Sequence, residues 1–318
     1  MSPSDLAPSV PGSQLERLLA LADHPDPVAT VVVHPVDDLS LQGAVEAAAR
    51  RLIVPILVGP KAKILGAAQA AGLDISGFEI VDAPHSHAAA ALACQMAGRG
   101  EAEAIMKGAL HTDELLEAVV AKDCGLRTER RMSHVFILDV PTYPKPLLVT
   151  DAAINIAPDL ATKRDIVQNA IDCARAMGVA RPKVAILAAV ETVNPKMTAT
   201  LDAAALCKMA DRGQIVGGVL DGPLAFDNAI SKEAATQKHI VSEVAGDADI
   251  LLVPDIESGN MLAKQLFYLA RAQSAGIVMG AKAPIMLTSR SDGVLSRLAS
   301  CAVALLVAQA KRQTSRHD

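Results

Sequence analysis

Pro284-Ile-Met-Leu-Thr-Ser-Arg-Ser-Asp-Gly-Val-Leu-Ser-Arg-Leu-Ala299 holds a strand, a turn and a helix start in one run. Ile285 to Leu287 is apolar and bounded by Pro284, which suits a short buried strand. From Val294 an Ala/Leu-rich segment continues to about Lys311 without Pro or Gly, so a helix follows. Between them Thr288, Ser289, Arg290, Ser291 and Asp292 bring hydroxyls, a guanidinium and a carboxylate to the carboxyl end of a strand. In open α/β sheets ligands bind at that edge. The guanidinium fork of Arg290 matches phosphate or carbonyl oxygens. Asp292 can accept a proton. The same residues would also serve as a plain helix cap, so the rest of the chain has to decide between the two.

Outward from this stretch the same alternation repeats. Helix Ser13–Ala22 precedes strand Val28–Val33, helix Ser40–Leu52, strand Ile53–Val58, helix Lys61–Ala71, strand Phe78–Val81, helix Ser86–Ala97 and strand Ala104–Met106. The rhythm breaks between Asp123 and Tyr143, where two strands, Ser133–Val140 and Leu147–Val149, flank prolines and suggest an antiparallel excursion. It then resumes with helices Asp159–Met177, Ala199–Ala210, Lys232–His239 and Asn260–Ala272. The strands of this part are Val184–Ala189, Ile215–Leu220, Ile250–Val253 and Ile277–Met279. Alternating strands and helices predict mainly parallel sheets covered on both faces, hence an α/β fold of two α/β/α domains. The domains expected are 1–145 with 282–318, opened by a mobile leader over 1–12, and 146–281.

Composition limits the function. Hydrophobic residues make up 51% of the 318, ample for two cores, while aromatics are only 2% and Trp is absent. Stacking platforms for nucleic acid need aromatic rings, and counterion release needs a basic surface, so a net charge of −5 argues against that partner. The cysteines (Cys94, Cys124, Cys173, Cys207, Cys301) are odd in number and scattered, as in a reduced, cytoplasmic protein. Met1 to Ser13 has no apolar signal core. The apolar run Leu298 to Ala310, broken by Ser300 and Gln309, is too short to span a bilayer. A soluble protein with no membrane partner is expected.

Polar clusters recur where the predicted strands end: Lys107 to Thr112, Thr150 to Asn155, Glu191 to Lys196, Asp221 to Asp227 and Pro254 to Asn260, with Thr288 to Asp292 completing the set. Clusters on one edge of two sheets predict a small-molecule cleft between domains. The nominated substrate contacts are Lys107, Gly108, His111, Thr150, Asp151, Asn155, Glu191, Asp221, Asp255, Gly259, Asn260 and Thr288. Gly259 and Asn260 read either as a cap or as small residues that let a phosphate approach helix amides. His111 reads as a polar cap. His85-Ser-His87 lacks a third ligand at suitable spacing, so no metal is expected. Arg127, Arg130 and Arg131 form a solvated loop face or, beside a cleft, hold an anion. No dinucleotide glycine fingerprint, P-loop or Gly-x-Ser-x-Gly elbow is present.

From about Val28 onward the chain resembles the phosphate acetyltransferase/phosphate butyryltransferase family. The resemblance rests on long ordered segments: Val149-Thr-Asp-Ala-Ala-Ile-Asn-Ile-Ala-Pro-Asp159, Ala189-Val-Glu-Thr-Val-Asn-Pro195, Asp221-Gly-Pro-Leu-Ala-Phe-Asp-Asn-Ala229, Val244-Ala-Gly-Asp-Ala-Asp-Ile-Leu-Leu-Val-Pro-Asp255, Ser258-Gly-Asn-Met261 and Thr288-Ser-Arg290. It implies two α/β/α domains like those of isocitrate and isopropylmalate dehydrogenases, with the last helix returning to the first domain. It also implies a homodimer with its active site in the interdomain cleft, and reversible acyl transfer between coenzyme A and inorganic phosphate, with neither metal nor nicotinamide. Ser289 would bond the thiol or carbonyl, Arg290 would hold the phosphoryl group or polarise the carbonyl, and Asp292 would be the base.

Two departures from the family pattern stand out. Ser296 occupies the position, seven residues after the Ser, of the acetyltransferases' proposed catalytic Asp, whereas Asp292 matches the butyryltransferase branch. The stretch Asp113 to Ala118 carries Leu and Glu where the acetyltransferases have an Arg. Phosphate binding would then lean on Arg290 with Lys107 or one of the loop arginines. The expected reaction is phosphate acetyltransfer, with butyryl- or propionyl-CoA as alternatives. A non-catalytic coenzyme A or acyl-phosphate sensor and a dehydrogenase of the same fold are the readings from other classes.

Overall fold

The computed structural model describes residues 13–287 and 293–314. The chain divides into two compact units: Glu16–Arg130 with Ala275–Asp318, and Met1–Leu15 with Arg131–Ser274.

In the first unit the alternation gives β1 (Val28–Val33), α2 (Asp38–Ala49), β2 (Ile53–Gly59), α3 (Lys61–Ala71), β3 (Glu79–Asp82), α4 (Ser86–Gly98) and β4 (Ala104–Lys107), after α1 (Ser13–Leu21). The strand order is β3-β2-β1-β4-β11-β10, with β10 (Gln273–Met279) antiparallel to β11 (Ile285–Met286) and the others parallel. Right-handed crossovers explain the layering. The chain steps one way from β1 to β3 and then back across to β4, which puts α2 and α3 on one face and α4 on the other. Accordingly α2 packs on α3 and on α11 (Val294–Thr314), while α4 packs on α5 (Thr112–Val120).

β1 and β4 are buried along almost their whole length, as expected for central parallel strands. Helix α11 is long and apolar enough, by length and composition, to cross a membrane, which exceeds the shorter run read from sequence. Most of it is nevertheless buried in this unit, and its end is tied down by Arg312 on Glu103 and by Lys311 Nζ on the carbonyls of Ala281 (3.0 Å) and Lys282 (2.9 Å).

The second unit holds β5 (Ser133–Asp139), β6 (Leu147–Thr150), α6 (Leu160–Ala176), β7 (Lys183–Leu187), α7 (Thr198–Asp211), β8 (Val219–Leu224), α8 (Phe226–Ile230), α9 (Lys232–Gln237), β9 (Ile250–Leu252) and α10 (Ile256–Tyr268). Its order is β5-β6-β9-β7-β8, with β5 antiparallel to β6 and the rest parallel. Residues 131–145 fall with this unit, where β5 pairs with β6, as do residues 13–15, and residues 275–281 fall with the first, so the bounds differ from those expected from sequence.

Two other expectations shift. β8 continues through Asp221-Gly222-Pro223, which the sequence reading took as the loop after a strand ending at Leu220. It can do so because a Cβ on Gly222 would sit 2.7 Å from Ile186 Cβ, so only glycine fits there, and because Pro is tolerated on an edge strand. Helix α10 starts at Ile256, not Asn260, because Asp255 caps it. Helices α5 and α8 add to the expected elements.

Glycine also sets a backbone contact in the first unit. A Cβ on Gly98 would overlap the carbonyl of Cys124, whose carbon would lie 2.9 Å away. Gly98→Ala should therefore destabilise the protein by at least ~2 kcal/mol, as expected for overpacking against backbone that cannot yield. The urea-unfolding midpoint measures this, and an unchanged midpoint would contradict it.

Candidate active site

At the carboxyl end of β6 the chain turns sharply after Thr150, and the turn is built on the buried carboxylate of Asp151. Its Oδ1 accepts from the amides of His134 (3.2 Å), Ala153 (3.0 Å) and Ile154 (3.2 Å). Its Oδ2 accepts from the amide of Asn155 (3.0 Å) and from Asn155 Nδ2 (2.6 Å). Asn155 Nδ2 also donates to Met132 O at 2.8 Å, and Thr150 Oγ1 donates to His134 O at 2.8 Å. Asp151 and Thr150 thus spend their hydrogen bonds on this turn and on the start of β5.

The neighbouring strand β9 leads into α10, whose cap is Asp255: Ser258 N donates to Asp255 Oδ1 at 2.8 Å and Ser258 Oγ at 2.7 Å. The Ser258 amide is the main cause that holds the Asp255 carboxyl below its ordinary range. Gly259 lies inside the helix. A Cβ there would meet Val253 Cγ2 at 2.6 Å and Ala152 Cβ at 3.0 Å, so its smallness serves helix-to-turn packing rather than approach of a phosphate. Asn260 Nδ2 donates to Ala152 O at 3.3 Å, and Ile256 N to Ile156 O at 3.0 Å. The structure therefore brings Thr150, Asp151, Asn155, Asp255, Gly259 and Asn260 into one locked assembly.

Glu191 stands elsewhere on the same edge. It pairs with Lys238 (3.1 Å), whose hydrogen bond is the main cause lowering its pKa, and it receives a long contact from Asn228 Nδ2 (3.5 Å). Asp221, expected at a strand end, is inside β8, and its Oδ1 accepts from the next amide, Gly222 N, at 2.8 Å.

In the first unit Lys107 ends β4, with Nζ 3.4 Å from Gly108 O. Gly108 is required by close backbone, since a Cβ would lie 3.0 Å from His34 C and closer still to Val33 O. His111 holds the N-cap position of α5 but makes no side-chain cap bond, so the polar-cap reading is corrected: the ring is exposed. His85 caps α4 by accepting from Ala88 N at 3.2 Å, and His87 pairs with Glu114 at 2.8 Å, so neither is held toward a metal. Hydrogen bonding with Thr162 is the main cause that lowers the pKa of Asp159, and the charge of the exposed Arg131 adds to it. Thr288, Ser289, Arg290 and Asp292 lie outside the described residues.

The sequence reading missed two polar groups of this edge. His134 is 3% exposed, with its ring 4.3 Å from that of Phe136 and no hydrogen bond on Nδ1. Burial pushes its pKa down to about 4, against the opposing charge of Asp151. The available signal was a Ser-His pair opening the strand ahead of the apolar run Val135-Phe-Ile-Leu138. Lys163 on α6 is also buried, paired with Asp202 on α7 at 2.7 Å, and its charge reaches Asp255. Nothing in the helical pattern marked it out.

Against known proteins, a family model described as phosphate acetyl/butaryl transferase matches residues 85–305. The chain is 60% identical over 300 residues to the phosphate acetyltransferase of Rhizobium meliloti, covering 94% of this chain and 95% of that one. It is 44% identical over 272 residues to the phosphate butyryltransferase of Clostridium acetobutylicum, covering 86% and 90% respectively. Among solved structures, a branched-chain phosphotransacylase from Enterococcus faecalis V583 superposes with a TM-score of 0.77 at 31% identity, over 88% of this chain and 99% of that one.

His134 gives the fold a definite response to acid. Its folded pKa, about 4, lies below the ordinary 6.5, so the unfolded chain takes up the proton first as pH falls. Its contribution is intact above pH ~6.5 and is lost at about 1.4 kcal/mol per pH unit down to about 4. Urea unfolding between pH 7 and 4 should show that slope in the wild type and a shallower one in His134→Asn. Equal slopes would refute the assignment.

Proposed function

Because the chain belongs to the phosphate acetyl/butyryltransferase family, we propose that it moves an acyl group reversibly between coenzyme A and inorganic phosphate, and that the group is acetyl. One observation carries the acyl choice: identity is 60% over 94% of the chain to a phosphate acetyltransferase, against 44% over 86% to a phosphate butyryltransferase.

The chemistry needs few groups. The coenzyme A thiol gives up its proton, because the thiolate is the nucleophile, and attacks the acyl-phosphate carbonyl carbon. The carbon–sulfur bond forms and an oxyanion develops; as it collapses the carbon–oxygen bond to phosphate breaks, and the departing phosphate takes up the proton that the thiol gave up, leaving as the hydrogen phosphate dianion. No oxidation state changes, so the proposed reaction calls on no nicotinamide, and in this proposal the thiolate attacks directly, with neither a metal nor an enzyme nucleophile. Donors are needed at the oxyanion and at the departing phosphate. In this proposal Ser289 and Arg290 supply them and Asp292 takes the thiol proton.

A homodimer is part of the same proposal. Helix α10 leaves Met261 60%, Tyr268 82% and Leu269 82% exposed, an apolar face that a second copy would cover. The cytoplasmic setting rests on five free cysteines, four of them buried.

The test is phosphate-dependent release of free thiol from acetyl-, propionyl-, butyryl- and valeryl-CoA without added metal. Turnover highest with acetyl-CoA is expected, and no turnover with any of them would refute the reading. Arg290→Ala should lower turnover at least ~100-fold, the scale of one lost transition-state donor. Near-normal turnover would remove Arg290 from the mechanism. Tyr268→Lys with Leu269→Lys should move the protein to a monomer in sedimentation, and an unchanged dimer would place the interface elsewhere.

A further inference from the structure

We propose that His34 binds a phosphate group of the substrates, working with Lys107 at the carboxyl edge of the first unit's sheet. The inference rests on the acyltransfer reading and adds to it a residue that the sequence reading passed over.

The strand order supplies the place. From β1 the chain steps to β2 and β3 on one side, while β4 lies on the other side of β1, so the order reverses between β1 and β4. Ligands of open α/β sheets bind outside the carboxyl ends of the strands at such a reversal. His34 is the residue after β1, and Lys107 is the last residue of β4, paired in register with Val33.

The backbone holds His34 in a conformation that a side chain rarely takes. Its φ is 54°, in the left-handed region that disfavours a non-glycine residue. Three contacts keep it there: His34 N donates to Val58 O at 2.7 Å, Ala109 N donates to His34 O at 3.0 Å, and Gly108 N donates to Val33 O at 2.9 Å. Two glycines make the room. A Cβ on Gly59 would lie 3.3 Å from His34 Cα, and one on Gly108 would lie 3.0 Å from His34 C. A glycine at position 34 would relieve the strain, yet the chain keeps an imidazole.

The ring is oriented as well as placed. His34 Nδ1 lies 3.1 Å from Ala109 O. A carbonyl oxygen only accepts, so Nδ1 carries a proton and Nε2 is the nitrogen left for a ligand. A phosphate monoanion or dianion suits Nε2 in either state of the ring: the neutral ring accepts from P–OH, and the charged ring donates to P–O⁻. Lys107 adds fixed positive charge on the adjacent strand end. Both side chains are half-buried, so they remain reachable while being partly shielded from salt. The phosphate belongs either to the inorganic substrate or to coenzyme A, and the kinetics tell the two apart.

The experiment uses the full chain as wild type, His34→Asn, His34→Gln and Lys107→Gln, with thiol release followed at varied phosphate and varied acetyl-CoA. Asn tolerates the left-handed backbone but does not reach as far as Nε2. The expected result for His34→Asn is an unchanged melting temperature, a phosphate KM raised about tenfold and a smaller change in kcat, with partial recovery in His34→Gln. A rise confined to the acetyl-CoA KM, and absent with the 3′-dephospho thioester, would assign the bound group to coenzyme A and still support the site. Unchanged KM for both substrates, or a loss in kcat alone, would overturn it. Should His34→Asn fail to fold, Lys107→Gln decides: an unchanged KM for both substrates overturns the proposal. Calorimetric titration of inorganic phosphate into wild type and variants reads the site without turnover, so a failed acyltransfer assay would not conceal its outcome.

Discussion

Beyond Thr150 the chain leaves the β6 ladder, and the amides of residues 153–155 lose any strand partner. Amides partly withdrawn from water are costly to leave unpaired, so an acceptor is called for. The Asp151 carboxylate does, collecting those three amides, the His134 amide and the Asn155 side chain. Hydrogen bonds to an ionised acceptor are about twice as strong as neutral ones, and five of them compensate the burial of the charge. Other contacts of the edge build on that turn. Asn260 and Ile256 of the β9–α10 connection bond to its carbonyls, and Gly259 packs on Ala152. Without the carboxylate, the N-terminus of α10 would have no fixed surface to dock against.

The opposite edge of the second unit is built differently. There Lys145 lies 2.6 Å from Asp249 and 2.9 Å from Asp247, Lys183 pairs with Asp247, and Tyr143 OH donates to Ala248 O at 2.6 Å. Charges at that end are matched pairwise and link the strand starts of β6, β7 and β9. At the carboxyl end the Asp151 carboxylate faces neutral amides instead. The matched edge fixes the strands, and the acceptor-rich edge fixes the loops.

Much of this was legible in the sequence. Strand β1 and helix α3 begin and end where the reading placed them, because Pro60 precedes α3 and Gly72, at φ 65°, ends it. The family segments were also readable, and the structure gives their physical content. Ser258-Gly-Asn continues the start of a helix capped by Asp255, and the Gly-Asp-Ala-Asp run holds the carboxylates that pair with Lys145 and Lys183. What pattern could not show was set by contacts distant in sequence. Gly222 reads as a loop residue until Ile186 is seen filling the space where its Cβ would be. Gly259 reads as a cap until Val253 and Ala152 do the same. His134 and Lys163 lie within apolar or helical runs, and only packing shows them to be buried. Thr288 to Asp292, read first of all, lie outside the described residues.

These pairings also limit which carboxylates can act as a base. A general base needs a free lone pair and a pKa near the operating pH. Asp151 has its lone pairs committed to five donors, and Asp202 is bound to a buried lysine. Glu191 is paired with Lys238, which lowers its pKa, and Asp255 is held low by the helix end that it caps. A carboxylate stabilised in its charged form is a weaker proton acceptor, because any proton taken up must first offset those bonds. By this reasoning Asp151, Glu191, Asp202 and Asp255, which build the fold, are poorly suited to take a proton in the reaction.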